Sequence, residues 1–259
     1  MKLGIISDIH EDVENLKKAL NVLEKSSCDE IVCLGDIIGF CVHYNRYAHN
    51  RDAKECLRLV KQNCKYVVIG NHDQFAAAKI PEYYGGFPFP DNWYSLTNEE
   101  KKRLSSGHVW LYDDELPSNL ENEDLEYIRS LPEFLKVNIH GVTFMFSHFV
   151  IPDLTGSPST FPKNSKDLSG HFEFMNRNEC TIGFCGHIHS EGMMLAYENK
   201  KKFIPRMHDS FGSYSFSVSR LKKKLQCIAV PAIALTERKS GLAIFDTENF
   251  DFITVKLKY

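Results

Sequence analysis

The feature that most limits what this chain can fold into is a repeated local pattern. Five short runs of β-branched, aliphatic and aromatic residues each end in a cluster of acids, imidazoles and glycine. Leu3-Gly4-Ile5-Ile6 leads to Asp8-Ile9-His10, Ile31-Val32-Cys33-Leu34 to Gly35-Asp36, and Tyr66-Val67-Val68-Ile69 to Gly70-Asn71-His72-Asp73. Val142-Thr143-Phe144-Met145-Phe146 leads to Ser147-His148, and Thr181-Ile182-Gly183-Phe184-Cys185 to Gly186-His187-Ile188-His189. Runs of this length and composition predict strands buried on both faces. Each polar cluster then falls at the carboxyl end of a strand, where open α/β sheets gather their ligand sites.

Between these runs the apolar period changes. Val13, Leu16, Leu20 and Leu23 recur at helical spacing and predict an amphipathic helix over 12–25. Cys56, Leu59 and Val60 stand among charges and predict a second helix over 51–62. The first third is therefore a βαβαβ run whose parallel strands need right-handed crossovers. Residues 80–124 break the pattern with a run dense in Pro, Gly and aromatics, followed by a polar helical piece near 97–106. This segment reads as an insertion beside the mouth of the site, its aromatics either gluing it to the domain or stacking a substrate base. From 134 onward the pattern turns to hairpins, with a turn at His140-Gly141 and strands expected at 193–197, 214–220, 225–230, 241–246 and 251–257. Lys222-Lys223-Lys224 falls in a turn and reads as a solvated loop.

At 259 residues and 43% apolar content the chain suits one large α/β domain over 1–259. A formal charge of −3 and a pI near 6.4 argue against stable nucleic-acid or membrane-surface binding. Met1-Lys2 runs straight into the first strand, and no stretch approaches the roughly 20 apolar residues of a membrane span. A cytoplasmic protein is expected. The eight cysteines include no C-x-x-C pair and read as buried reduced thiols. Of the histidines without a motif (43, 49, 108, 140, 171, 208), each reads as surface or structural, with His43 the one nearest the Gly35-Asp36 loop in sequence.

Taken in order, the five clusters resemble the motifs of the calcineurin-like metallophosphoesterase superfamily, covering Asp8 to His189. Ser7-Asp8-Ile9-His10, Leu34-Gly35-Asp36-Ile37-Ile38-Gly39 and Leu125-Glu126-Tyr127-Ile128-Arg129-Ser130-Leu131-Pro132 look like its compact bacterial phosphodiesterase-type branch. The resemblance implies a four-layer α/β/β/α sandwich with two packed mixed β-sheets. It implies two divalent or trivalent transition-metal ions, drawn from Mn, Fe, Zn, Co or Ni. Asp8, His10, Asp36 and His189 would hold one ion, and Asp36, Asn71, His148 and His187 the other, Asp36 being the shared anion that offsets repulsion between them. A metal-bridging hydroxide would be the nucleophile. His72, by the same resemblance not a ligand, would protonate the leaving oxygen or stabilise the transition state, with Asp73 holding its tautomer by a hydrogen bond. The i, i+2 spacing of Asp8 and His10 suits a loop on which alternate residues point the same way.

Glu11-Asp12 stands where the branch usually has Gly-Asn, Ser147-His148-Phe149 where it has Gly-His or His-Gly, and Val230-Pro231-Ala232-Ile233-Ala234-Leu235 where it has Asn-Pro-Gly-Ser. No arginine follows Gly35-Asp36, unlike the Asp-Arg-Gly of serine/threonine protein phosphatases, where it clamps phosphate. The expected activity is hydrolysis of phosphodiester or phosphomonoester bonds in a small molecule or nucleotide. The alternatives are a protein phosphatase and a non-catalytic scaffold on the same fold.

Overall fold

The computed structural model describes residues 1–158, 160–198 and 211–258; His208 lies outside them. The first third holds β1 (Lys2–Ile6), α1 (Val13–Lys25), β2 (Glu30–Cys33), a two-residue β3 (Phe40–Cys41), α2 (Ala53–Asn63), β4 (Tyr66–Val67) and α3 (Asn71–Ala76). Next come a 3-10 turn at Trp93–Ser95, α4 (Asn98–Ser105), β5 (Glu115–Leu116) and α5 (Asn122–Ser130). The second half holds β6 (Phe134–Ile139), β7 (Val142–Ser147), α6 (Ser169–Arg177), β8 (Ile182–Cys185), β9 (Met193–Tyr197) and β10 (Phe211–Tyr214). The chain ends with β11 (Val218–Arg220), β12 (Gln226–Ala229), β13 (Gly241–Asp246) and β14 (Asp251–Lys256).

Two mixed six-stranded sheets result, in the orders β11-β14-β13-β1-β2-β4 and β10-β9-β12-β8-β7-β6. β1, β2 and β4 pair in parallel, as the βαβαβ reading requires, and so do β7, β8 and β12. The alternation of side chains along β1 shows why the layers stack. Leu3 and Ile5 enter a core with Val32, Phe144, Phe146, Phe184 and Phe245, between the sheets. Ile6 faces the opposite way, toward Leu16 and Leu23 of α1 and Leu57 of α2. Met145, Cys185 and Cys227 point outward from the second sheet against Phe172 and Met175 of α6. Three apolar interfaces between helices, sheet, sheet and helix make the four-layer sandwich.

The helices stop and start where local chemistry directs. Asp12 and Asp52 cap α1 and α2 by accepting the N–H groups of Asn15 and Glu55. Asp12 also accepts the Leu235 N–H at 2.9 Å, so the acid in place of a Gly-Asn is both a cap and a tie to the Val230–Leu235 segment. Glu11 is buried and pairs with Arg51 at 3.2 Å.

Two strand expectations need correction. The strand expected over 66–69 pairs only at Tyr66–Val67; Val68 N–H still reaches Cys33 O, but Ile69 N–H turns to Pro132 O at 2.9 Å. The strand expected over 214–220 is two strands in different sheets. β10 ends at Tyr214 against β9, and β11 begins at Val218 against β14, with Ser217 N–H held by Thr254 Oγ1 between them. A period-2 pattern cannot reveal that a chain changes sheets midway. Lys222–Lys224 is exposed, as expected of a turn, and all eight cysteines are free thiols, Cys28 and Cys64 half-buried and the rest buried. No helix among the described residues is long and apolar enough to cross a membrane.

Phe184 is fully buried and touches Phe144, Phe146, Phe245 and Phe252 with ring centroids 5.4–6.3 Å apart. Phe184→Ala is expected to cost about 3–5 kcal/mol, read as a fall in the urea midpoint at unchanged slope. A loss under 1 kcal/mol would mean that the sheet–sheet core is not tightly packed.

Candidate metal centre

The loops after β1, β2, β4, β7 and β8 meet at one point. Backbone bonds stitch the first two together: Asp8 N–H donates to Gly35 O, and Ile9 N–H and His10 N–H both donate to Asp36 O. The third joins through Asp36, whose Oδ1 accepts the His72 N–H at 2.9 Å in the first turn of α3. Glycine makes these approaches possible. A methyl on Gly70 would overlap Asp36 Oδ1, and one on Gly186 would overlap Ser7 Oγ.

Asp8, His10, Glu11, Asp36, His187 and His189 all adopt positive φ, between 48° and 68°. Non-glycine residues seldom do so, and the concentration in these loops marks strain held by the surrounding structure. This corrects the extended-loop reading of the i, i+2 spacing. Asp8 and His10 do converge, but through two left-handed residues rather than strand-like alternation.

Among the described residues, three groups could each hold an ion: Asp8, His10 and His189; Asp36, His148 and His187; and His10, Asp36 and His72. The first two correspond to the two sets that resemblance implied, and His187 and His189 fall in different groups. Asp36 Oδ2 lies 3.0 Å from His148 Nε2 and 3.8 Å from His10 Nε2, so one carboxylate reaches toward both. Asp8 Oδ1 lies 3.2 Å from His189 Nε2. His10 Nε2 and His189 Nε2 are 3.1 Å apart, and His187 Nδ1 is 3.3 Å from His148 Nε2.

The far sides of the rings are fixed by backbone. His10 Nδ1 donates to Gly39 O at 2.8 Å, and His148 Nδ1 to Leu34 O at 2.7 Å. A carbonyl only accepts, so in the neutral rings Nε2 carries the lone pair and points inward. Second partners of this kind orient ligating imidazoles. Burial, with repulsion from His72 and His148 respectively, lowers His10 and His187 to about 3 and keeps both rings neutral. Burial would raise the Asp8 and Asp36 carboxyls, but the facing imidazoles, His189 above all for Asp8 and His148 for Asp36, hold both well below the usual range. Conversely, burial would lower His148, and the Asp36 carboxylate raises it to about 9. The cluster thus concentrates negative charge and draws positive charge to it.

Asn71 supplies the test of fit. Its Nδ2 donates to Tyr112 Oη at 3.0 Å, which orients the amide, and its Oδ1 is buried with no partner among the described residues. An amide oxygen withheld from protein and water, beside carboxylates and inward imidazoles, is a donor set suited to borderline divalent transition metals. The residues fit a transition-metal site.

The expected Asp73–His72 bond is not present. Asp73 accepts the N–H groups of Gly70, Ile37 and Ile38, tying the third loop to the second. His72 Nδ1 instead donates to Glu115 Oε2 at 2.6 Å. Glu115 comes from the 80–124 segment, brought in where β5 pairs with β3 through Cys41↔Glu115. Tyr112, from the same segment, stacks on Phe75 and meets His72 edge-on at 5.0 Å. Neither residue carried a motif; the only sequence signal was that 80–124 lies between the third and fourth clusters. Of its other aromatics, Phe87, Phe89 and Trp93 pack on one another and Tyr94 donates to Lys79 O, while Tyr84 and Trp110 stay exposed. His43 is exposed and joins no group.

In the Val230–Leu235 segment, Ile233 N–H and Ala234 N–H donate to Ser7 O and Asp8 O, so backbone buttresses the first loop where the branch has Asn-Pro-Gly-Ser. Gly70→Ala is expected to weaken Mn2+ binding by about 10–100-fold while the far-ultraviolet circular dichroism is retained; equilibrium dialysis with wild-type affinity would contradict this account of the Gly70–Asp36 contact.

Residues 1–191 match the family model described as calcineurin-like phosphoesterase. An uncharacterized protein of Methanocaldococcus jannaschii is 26% identical over 214 residues, 78% of this chain and 73% of that protein. Among solved structures, a metallophosphoesterase from Sphaerobacter thermophilus superposes with a TM-score of 0.66 at 20% identity, covering 100% of this chain and 88% of the other. A hypothetical protein from Pyrococcus horikoshii OT3 superposes with a TM-score of 0.60 at 14% identity and the same coverage. With the matching model spanning all five clusters, the chain belongs to the calcineurin-like phosphoesterase family.

Proposed function

We propose that this protein hydrolyses phosphodiester or phosphomonoester bonds of a small molecule or nucleotide at a site that holds two transition-metal ions, manganese among the candidates. The observation that carries this reading is Asp36, whose one carboxylate faces His148 of its own candidate group and His10 of the other. Asp8, His10 and His189 would complete one site with it; Asn71, His148 and His187 would complete the other. Bound ions would supply Lewis-acid charge for the phosphoryl oxygens and an activated water.

The chain's own residues do the rest. Gly39 O and Leu34 O keep two imidazoles aimed, and Tyr112 keeps the Asn71 oxygen turned away from its own hydroxyl. His72 is half-buried. Burial would lower its pKa, but Asp36 and Glu115 raise it to about 9. Glu115 fixes Nδ1 as the bonded nitrogen, which leaves Nε2–H to protonate a leaving oxygen. Asp73, assigned to that task from the sequence, acts on this reading as the tie between loops. We take the whole chain as one domain, with 80–124 as an insertion that delivers Glu115 and Tyr112.

Chelator-stripped protein should be inactive on bis-p-nitrophenyl phosphate and p-nitrophenyl phosphate and regain activity with added Mn2+; no cleavage of either ester under any metal would sink the hydrolase reading. Asp36→Ala is expected to lower the metal count and abolish turnover. His72→Ala should keep its metal yet lose about 10²–10⁴ in turnover on esters with poor leaving groups, and less on p-nitrophenyl esters, whose phenolate needs little protonation. Glu115→Gln should show the same leaving-group dependence with a smaller loss. A metal-loaded His72→Ala protein with normal turnover on an alkyl ester would remove the assigned role.

A further inference from the structure

Beside the His187 edge of the cluster lies a cavity of about 260 Å3, close to the ~300 Å3 lower end of small-molecule sites. The chain after β7 builds most of its wall, with Phe149, Pro152, Pro158 and Phe161 supplying apolar surface. Two of these reach the metal-type cluster. Phe149 and Phe161 both pack on the His187 ring, at 4.5 and 5.3 Å between centroids, Phe161 within 20° of parallel. Phe161 remains 43% exposed, so part of its ring stays open to solvent. Gly156 lies against the same imidazole, where a methyl would stand 2.6 Å from His187 Cε1. The wall is preformed: Phe149 N–H donates to Leu154 O at 2.7 Å, and Ile151 N–H to His171 Nδ1 at 3.2 Å.

Into this apolar wall the fold sets a carboxylate. Asp153 lines the cavity and is 1% exposed. Its Oδ1 accepts from Thr155 N–H, Thr155 Oγ1–H and Gly156 N–H at 2.7–2.9 Å. Its Oδ2 is buried and has no partner among the described residues. Such an oxygen is costly to leave unpaired, and a ligand N–H would satisfy it. The other charged residue on the lining, Asp167, is also acidic. The cavity therefore repels phosphate, and the anionic end of a ligand stays outside it, on the His187 side.

We propose that this cavity is a nucleoside subsite: it takes a purine-sized ring bearing an exocyclic amino group, which stacks on Phe161 and donates its N–H to Asp153 Oδ2 while the phosphoryl group rests at the metal-type cluster. The assignment rests on the phosphoesterase reading for the phosphoryl end alone. The ring end is tested without catalysis.

Binding of adenosine and of purine riboside, the same ring without the amino group, is measured by equilibrium dialysis on the metal-free protein and on Phe161→Ala and Asp153→Asn. Cleavage of the p-nitrophenyl ester of AMP is compared with that of bis-p-nitrophenyl phosphate in the Mn2+-loaded proteins. Adenosine should bind the wild type more tightly than purine riboside. Phe161→Ala should weaken adenosine about tenfold, and Asp153→Asn, which keeps one oxygen for the turn, should erase the preference for adenosine. In both variants the kcat/KM ratio of AMP ester to bis-p-nitrophenyl phosphate should fall. Equal binding of the two nucleosides by the wild type, or wild-type adenosine affinity in the exposed-site variant Phe161→Ala, overturns the subsite. Cleavage of both esters without adenosine binding overturns it while leaving the hydrolase reading intact. Adenosine binding with the expected variant pattern, but no cleavage under any metal, supports the subsite and overturns the hydrolase reading instead.

Discussion

The contact on which the centre depends is the meeting of Asp36 with its neighbours at the strand ends. Its carbonyl accepts two N–H groups from the first loop, and its carboxylate accepts one from α3 while facing the imidazoles of His10 and His148. One residue therefore joins three loops mechanically and faces imidazoles of two candidate ion-holding groups. That position exists only because Gly70 has no side chain to occupy it. The parallel pairing of β1, β2 and β4 brings these loops to the same edge, so the sandwich can be read as the frame that holds Asp36 in register.

How much of this was legible in the chain follows from which contacts are local. The strands and crossover helices were readable because period and composition are written within ten to fifteen residues, and α1 and α2 form within a residue or two of the expected spans. The residue types that gather in the cluster were readable because each follows its own strand. Partnerships were not. Asp73 is adjacent to His72 in sequence, yet in α3 their side chains diverge, and Asp73 turns back to the Gly70, Ile37 and Ile38 amides. The carboxylate that reaches His72 lies 43 residues on, in β5, and is placed by a two-residue pairing with β3 too short to leave a pattern. The 214–220 stretch failed for a related reason: side-chain alternation is local, but which sheet receives a strand is decided by distant partners.

Electrostatics sets a second condition on the fold. Asp8, Asp36, His10 and His148 are all buried, and isolated buried charges are costly to take out of water. Facing imidazoles lower the carboxyl pKa values, and the Asp36 carboxylate in turn raises that of His148. Protons and cations thus serve the same purpose in this cluster. Ions that bind the folded chain and not the unfolded one would take over that compensation and add to stability by mass action.

The backbone strain points the same way. Six non-glycine residues in left-handed conformation within the ligand loops are unfavourable singly, and they persist because neighbouring segments leave the loops no relaxed alternative. Ser7 O and Asp8 O are held by the 233–234 backbone, and the His10 carbonyl accepts from Tyr47 Oη at 2.8 Å. Each of these ties comes from a different part of the chain, so no single loop could relax without breaking bonds to another. The benefit of such over-determination is that the donor atoms are held by bonds to several other parts of the chain. A site assembled from relaxed loops would spend binding free energy on ordering them; loops tied to the sandwich at this many points lower that cost, and the strain is the trace those ties leave in the backbone.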